Sequence, residues 1–120
     1  MSTGKMDELQ QTKKEISQRF RRCQKTFIAL GDEIRQQIVL TLLNGPSDGM
    51  RVGDIRACTT LSQPAVSHHL QILRDADIIK MRRRGTMNYY YMNADRACWK
   101  DLTELVLDID ASISRAEARG

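Results

Sequence analysis

Cysteine is scarce in this sequence. Its three residues, Cys23, Cys58 and Cys98, are far apart and odd in number. They argue against a disulfide framework and suit a reducing compartment. There is no run of about 18 apolar residues, so no membrane span is expected. The opening stretch, Met1 to Gln10, is polar and lacks the apolar core of a secretion signal. The expected location is therefore cytoplasmic. Proline occurs twice, at Pro46 and Pro64, both at helix boundaries. No glycine-rich phosphate loop and no paired metal-ligand motif is present. Ser67 and His68 adjoin, but neighbours on a helix diverge by about 100°, so they do not form a nucleophile and its base. An enzyme is not expected. Nor is there a strong charge of one sign: nineteen Lys and Arg face fifteen Asp and Glu, a net +4. With so mild an excess, the placement of the charges matters more than their sum.

The chain has 120 residues, of which 41% are hydrophobic, 28% charged and 5% aromatic, a balance that suits one helix-rich core of modest size. One domain over residues 1–120 is expected, and a domain this small gains from the burial that dimerisation supplies. There are no repeats and no low-complexity linker. Met6, Leu9, Ile16, Phe20, Cys23, Phe27 and Leu30 recur at three- and four-residue steps, which predicts a helix over 6–30. Its basic flank (Lys13, Lys14, Arg19, Arg21, Arg22 and Lys25) reads as a solvated face. Gly31 interrupts the pattern, and Asp32 caps a second helix marked by Ile34, Ile38 and Leu42. Asn44-Gly45-Pro46 ends that helix. A short helix is expected over about Val52 to Cys58. Ser62 then caps another, over about Gln63 to Ala76, with Pro64 in its first turn. The inward face of that helix is Val66, Leu70 and Leu73; its outward face is Gln63, Ser67, His68 and Gln71.

Beyond this helix the period changes from 3.6 to 2. Ile79, Met81 and Arg83 alternate with Lys80, Arg82 and Arg84, and Met87-Asn88-Tyr89-Tyr90-Tyr91 is β-prone. Two short strands about Arg84-Gly85 make a hairpin, with the tyrosines alternating between core and surface. A last helix, capped by Asn93 or Asp95, carries Cys98, Leu102, Leu105, Ile109 and Ile113. The expected fold is mainly α with a small β-hairpin, in the order ααααββα.

Residues 52–76 thus form a helix-turn-helix candidate, and the hairpin at 78–92 places a basic loop beside it. Gln63, Ser67, His68 and Gln71 both donate and accept hydrogen bonds, which suits base edges in a major groove. Lys80, Arg82, Arg83 and Arg84 suit phosphates or a minor groove, where they supply affinity with little sequence information. His69, on the flank of the inward face, is expected to be a partly buried structural histidine.

The run Leu61-Ser62-Gln63-Pro64-Ala65-Val66-Ser67-His68-His69-Leu70-Gln71-Ile72-Leu73-Arg74 resembles the recognition helix of the ArsR/SmtB metalloregulators. Ala29-Leu30-Gly31-Asp32-Glu33-Ile34-Arg35, Val52-Gly53-Asp54-Ile55, and Arg84-Gly85-Thr86 with Tyr89-Tyr90-Tyr91 resemble further parts of that family, so the likeness covers about residues 27–115. The resemblance implies a winged helix-turn-helix repressor. It also implies a homodimer joined through the first and last helices (6–30 and 95–116), and double-stranded DNA carrying an inverted repeat as partner. Apolar stripes on the terminal helices, larger than one small core needs, agree with a dimer.

The chain departs from the family where metals bind. Where metal-sensing members carry Cys-Val-Cys-Asp, this sequence reads Arg51-Val52-Gly53-Asp54. The last helix offers no histidine, only Asp95, Asp101, Glu104, Asp108 and Asp110, and carboxylates alone suit hard ions. The residues specify no cofactor and no metal site. A soft metal ion or an oxidation signal at Cys23, Cys58 or Cys98 is the alternative; Cys23 with Cys58 would imitate the arsenite sites of some relatives, and Cys23 with Cys98 their redox pairs. Packing is the competing role for Cys23 and Cys98. A winged-helix module that binds a protein partner is a third reading.

Overall fold

The structure, a computed structural model, describes residues 3–119, with side chains described over 7–118. Met6, expected on the first stripe, lies outside the described side chains. The element order is α1 (Thr3–Arg22), α2 (Gln24–Leu30), α3 (Glu33–Asn44), α4 (Val52–Arg56), α5 (Gln63–Asp75), β1 (Ile79–Arg84), β2 (Met87–Met92) and α6 (Ala97–Arg119). The helix expected over 6–30 is divided in two. The Cys23 amide donates to both Arg19 O and Phe20 O at 3.1 Å, so the backbone tightens at that one residue before α2 begins. The short helix ends at Arg56, two residues earlier than expected, and a turn occupies the rest.

The elements group into two compact units, one built on α1 and α6 and the other on residues 25–96. In the first unit, α1 and α6 run antiparallel and bury Cys23 and Leu105. An ionic clamp flanks that contact. Arg19 Nη1 meets Asp108 Oδ2 at 2.6 Å, Arg19 Nη2 meets Glu104 Oε2 at 3.1 Å, and Arg22 Nε lies 3.8 Å from Asp101 Oδ2. Three of the five carboxylates that could have served a hard ion thus face guanidinium groups.

The second unit closes its core with Ile38, Val39 and Leu42 from α3, Ile55 from α4, Val66, Leu70 and Leu73 from α5, and Ile78 and Ile79. Local chemistry fixes the helix starts. Asp32 Oδ1 accepts from the Arg35 amide at 3.1 Å, and Ser62 Oγ accepts from the Ala65 amide at 3.4 Å. The α4–α5 turn is pinned by Thr59 Oγ1, which donates to Arg56 O and accepts from the Leu61 amide, and by Arg56 Nε donating to Leu61 O. Asn93, one of the two expected caps of α6, instead ties the end of the hairpin to the end of α5. Its Nδ2 donates to Asp77 O at 2.9 Å, and its Oδ1 accepts from the Asp95 amide.

β1 and β2 pair antiparallel with Lys80 opposite Tyr91, Arg82 opposite Tyr89 and Arg84 opposite Met87. The two-residue loop Gly85-Thr86 joins them, with Gly85 at φ +61°, a conformation costly for other L-residues. On its other edge β2 meets Met50, whose N–H and C=O both bond Tyr90 at 2.8 Å. Gly49 permits that approach, since a Cβ there would lie 2.7 Å from Tyr90 O.

Candidate nucleic-acid interface

The α5 helix turns its apolar side inward, with Val66, Leu70 and Leu73 buried. A helical repeat of 3.6 then forces Gln63, Ser67, His68 and Gln71 outward, and all four are exposed. Gln71 is also oriented along the helix. Its Nε2 donates to Asp75 Oδ1 at 2.8 Å, and its Oε1 accepts from Arg74 Nη1 at 3.4 Å.

The hairpin divides the basic run by face. Successive strand residues point to opposite sides, so Lys80, Arg82 and Arg84 share one face with their cross-strand neighbours Tyr89 and Tyr91. The Arg82 guanidinium sits 4.7 Å from the Tyr91 ring centre, and that of Arg84 sits 5.9 Å from Tyr89. Both distances fall within cation–π range, and together they interleave two guanidinium groups with two rings. Arg82 Nη2 also donates to Asp48 O at 3.4 Å. Arg83 lies on the opposite face, with Ile79 and Met81, and its Nε donates to Gly85 O at 3.1 Å. Lys80 lines a polar hollow of about 280 Å³ with Gln71, Arg74, Asp75 and Asp77, which joins the exposed face of α5 to the base of the hairpin.

The three cysteines differ in burial. Cys58 is exposed just after α4, Cys98 is half-buried in α6, and Cys23 is buried. Burial pushes the Cys23 thiol above the usual thiol range, and the neighbouring Asp101 carboxylate adds to the effect. Among the described residues, no group of three or more His, Cys, Asp or Glu side chains could hold a metal. At the start of α4, Arg51 Nε lies 3.9 Å from Asp54 Oδ2. A cation thus occupies a position where the resemblance would have required a ligand. No helix of the described residues is long and apolar enough to cross a membrane.

Residues 32–81, from the cap of α3 into β1, match the family described as bacterial regulatory protein, arsR family. The chain is 37% identical over 89 residues to an uncharacterized HTH-type transcriptional regulator of Methanocaldococcus jannaschii, covering 74% of this chain and 96% of that protein. It is 42% identical over 67 residues to the transcriptional repressor SdpR of Bacillus subtilis, covering 56% of this chain and 71% of that protein. This chain belongs to the ArsR family. The fold agrees: an ArsR-like transcriptional regulator from a Rhodococcus species superposes with a TM-score of 0.71, at 22% identity, over 83% of this chain and 87% of that one. The protein is therefore a winged-helix transcriptional regulator and not an enzyme, and regulators of the ArsR family bind DNA.

Two sets of residues near this surface do more than the sequence expectation assigns them. Tyr89 and Tyr91, expected to alternate between core and surface, also hold the arginines. Arg35, part of a run that carries the resemblance, reaches His69 on α5 with its guanidinium. The tyrosines could have been found by counting the period-2 register across the hairpin. The Arg35 contact joins residues 34 apart, and no local pattern records it.

Proposed function

We propose that the protein is a cytoplasmic, homodimeric repressor that binds an inverted repeat in double-stranded DNA and leaves it when an effector binds. One observation carries this reading: an exposed polar face on α5, Gln63, Ser67, His68 and Gln71, stands beside a hairpin face that carries Lys80, Arg82 and Arg84. The helix reads bases in a major groove, and the hairpin cations neutralise adjacent phosphates. Arg83, from the other face, meets the backbone at the hairpin tip. The dimer forms through α1 and α6, where Val106, Leu107 and Ile113 stand 55%, 61% and 56% exposed. Covering such a set of large apolar side chains is favourable. Two-fold symmetry would then set half-site centres about 34 Å apart.

The test is selection of genomic fragments by the purified protein at physiological salt. Enriched fragments should share an inverted repeat of that spacing. Binding to a random duplex as tight as to any genomic fragment would overturn the reading. Arg84→Ala should lower the slope of log affinity against log salt by about 1.

A thiol-based sensor of soft metal or oxidant is the second reading, favoured by the exposure of Cys58 at the helix-turn-helix. Buried Cys23, with its raised thiol pKa, stands against a site that depends on its thiolate. DNA release by arsenite or peroxide in the native protein, abolished by Cys58→Ser, would support this reading. Unchanged release in a variant with Cys23, Cys58 and Cys98 all replaced by Ser would exclude it.

A further inference from the structure

Arg35 stands where three elements of the second unit meet. Its Nε donates to Ala29 O at 2.7 Å and its Nη2 donates to Ile28 O at 2.9 Å, both at the C-terminal end of α2. No basic residue lies in the last turn of α2, so Arg35 supplies the cation that the exposed carbonyls favour. Its remaining nitrogen, Nη1, lies 3.1 Å from His69 Nδ1 on α5. A guanidinium has donors and no acceptor, so Nδ1 must accept and the imidazole proton must sit on Nε2. His69 follows the outward-facing His68 and precedes the buried Leu70, so this one hydrogen bond holds the half-buried flank of the recognition helix.

We propose that Arg35 positions the recognition helix through the neutral imidazole of His69, and that acid releases this hold and lowers DNA affinity. The inference rests on the reading of α5 as the DNA-reading helix. Protonating His69 turns Nδ1 from an acceptor into a donor and sets two like charges against each other. Of the three Arg35 contacts, the two to α2 carbonyls are shorter and survive protonation of the imidazole, so they keep the guanidinium in place and the imidazole moves. Two charged groups face His69: the Arg35 guanidinium and the Asp32 carboxylate, whose own pKa is held low first by the Arg35 amide. His68 lies with its ring centre 6.0 Å away. The lowered pKa keeps Asp32 ionised in mildly acidic solution, the range in which histidine is the side chain that serves as a charge switch.

A protonated His68 on the exposed face would attract phosphate and mask the effect, so the test uses the His68→Gln background. Affinity for a duplex recovered by the genomic selection is measured at about pH 7.5 and about pH 5.5. His68→Gln should bind about tenfold more weakly at the lower pH, because a proton on His69 Nδ1 removes the acceptor that Arg35 Nη1 holds. His68→Gln/His69→Gln should show a difference below about twofold, because the Gln carbonyl accepts from Arg35 at either pH. Equal falls in both proteins, or no fall in either, would overturn the proposal. A DNA-free readout separates this outcome from failure of the DNA reading. In ¹⁵N-histidine-labelled protein at neutral pH, His69 Nδ1 should show the shift of an unprotonated ring nitrogen. A proton on Nδ1 overturns the proposal even if DNA is bound, and if no duplex is enriched the ring spectrum still decides the Arg35–His69 contact.

Discussion

The Arg–Tyr stack on the hairpin face turns flexible cations into aimed ones. Arginine loses rotamer freedom when it meets a phosphate, and a guanidinium already resting on a ring has surrendered part of it. Tyr89→Leu should therefore weaken DNA binding about twofold to fivefold, the equivalent of ~0.5–1 kcal/mol, while Tyr89→Phe keeps the ring and should bind like the native protein. The salt slope should be unchanged in both, because no charge is lost. An effect of Phe equal to that of Leu would show that the hydroxyl, not the ring, matters. Asp32 offers a second test at this scale. Its carboxyl is held below the ordinary aspartate range, first by the Arg35 amide and also by the nearby Arg35 and His69 charges. The folded state therefore binds fewer protons at Asp32 than the unfolded chain does. The resulting stability is present above the ordinary aspartate pKa and is lost as pH falls through the lowered folded value. Native protein should melt above Asp32→Asn at neutral pH, and the gap should close on acidification. A gap that widens in acid would contradict this assignment.

Among the elements, the hairpin depends on a close approach and α4 on a short run of backbone. Gly49 has φ +98°, and a side chain there would strike Tyr90 O at 2.7 Å. Gly49→Ala should lower Tm by an amount equivalent to roughly 1–3 kcal/mol, since strained backbone and overlap act together. Gly53, inside α4, has no atom within 4 Å of an added Cβ. Gly53→Ala should raise Tm, by about 0.5–1 kcal/mol in stability, because alanine restricts the unfolded chain and favours helix. The opposite signs, read by calorimetry, separate the two roles of glycine in one protein. The split of the first helix has a comparably local cause, one shared amide at Cys23.

For the whole molecule, the deciding question is what covers the apolar residues of α6. An isolated chain leaves Leu107 in water, whereas the proposed dimer would bury it. Leu107→Glu places a charge in that proposed contact, which costs far more when buried than when exposed. The variant should keep its helical circular dichroism, sediment as a monomer and bind the selected operator much more weakly, since one recognition helix then acts without its twin. A variant that stays dimeric would move the interface elsewhere. The carboxylates of α6 belong to the same question. Asp101, Glu104 and Asp108 clamp α6 to α1 through Arg19 and Arg22, which gives them a structural task.

The sequence by itself determined the starts of α3 and α5, the inward and outward faces of α5, the hairpin and the family. Each is written in a short window: Asp32 and Ser62 as caps, a 3.6-residue period through Val66, Leu70 and Leu73, then a period of 2 through Ile79 to Arg84. Even the separation of Arg83 from Arg82 and Arg84 follows from that alternation. Only the tertiary structure decided which side chains meet across the fold. It set Arg35 against His69, stacked Arg82 and Arg84 on tyrosines, bound Met50 to Tyr90 and closed the α6 carboxylates with arginines. The physical reason is range. Capping and periodicity act over a few residues of backbone, whereas these contacts join residues distant in sequence that only the closed core brings within hydrogen-bond reach.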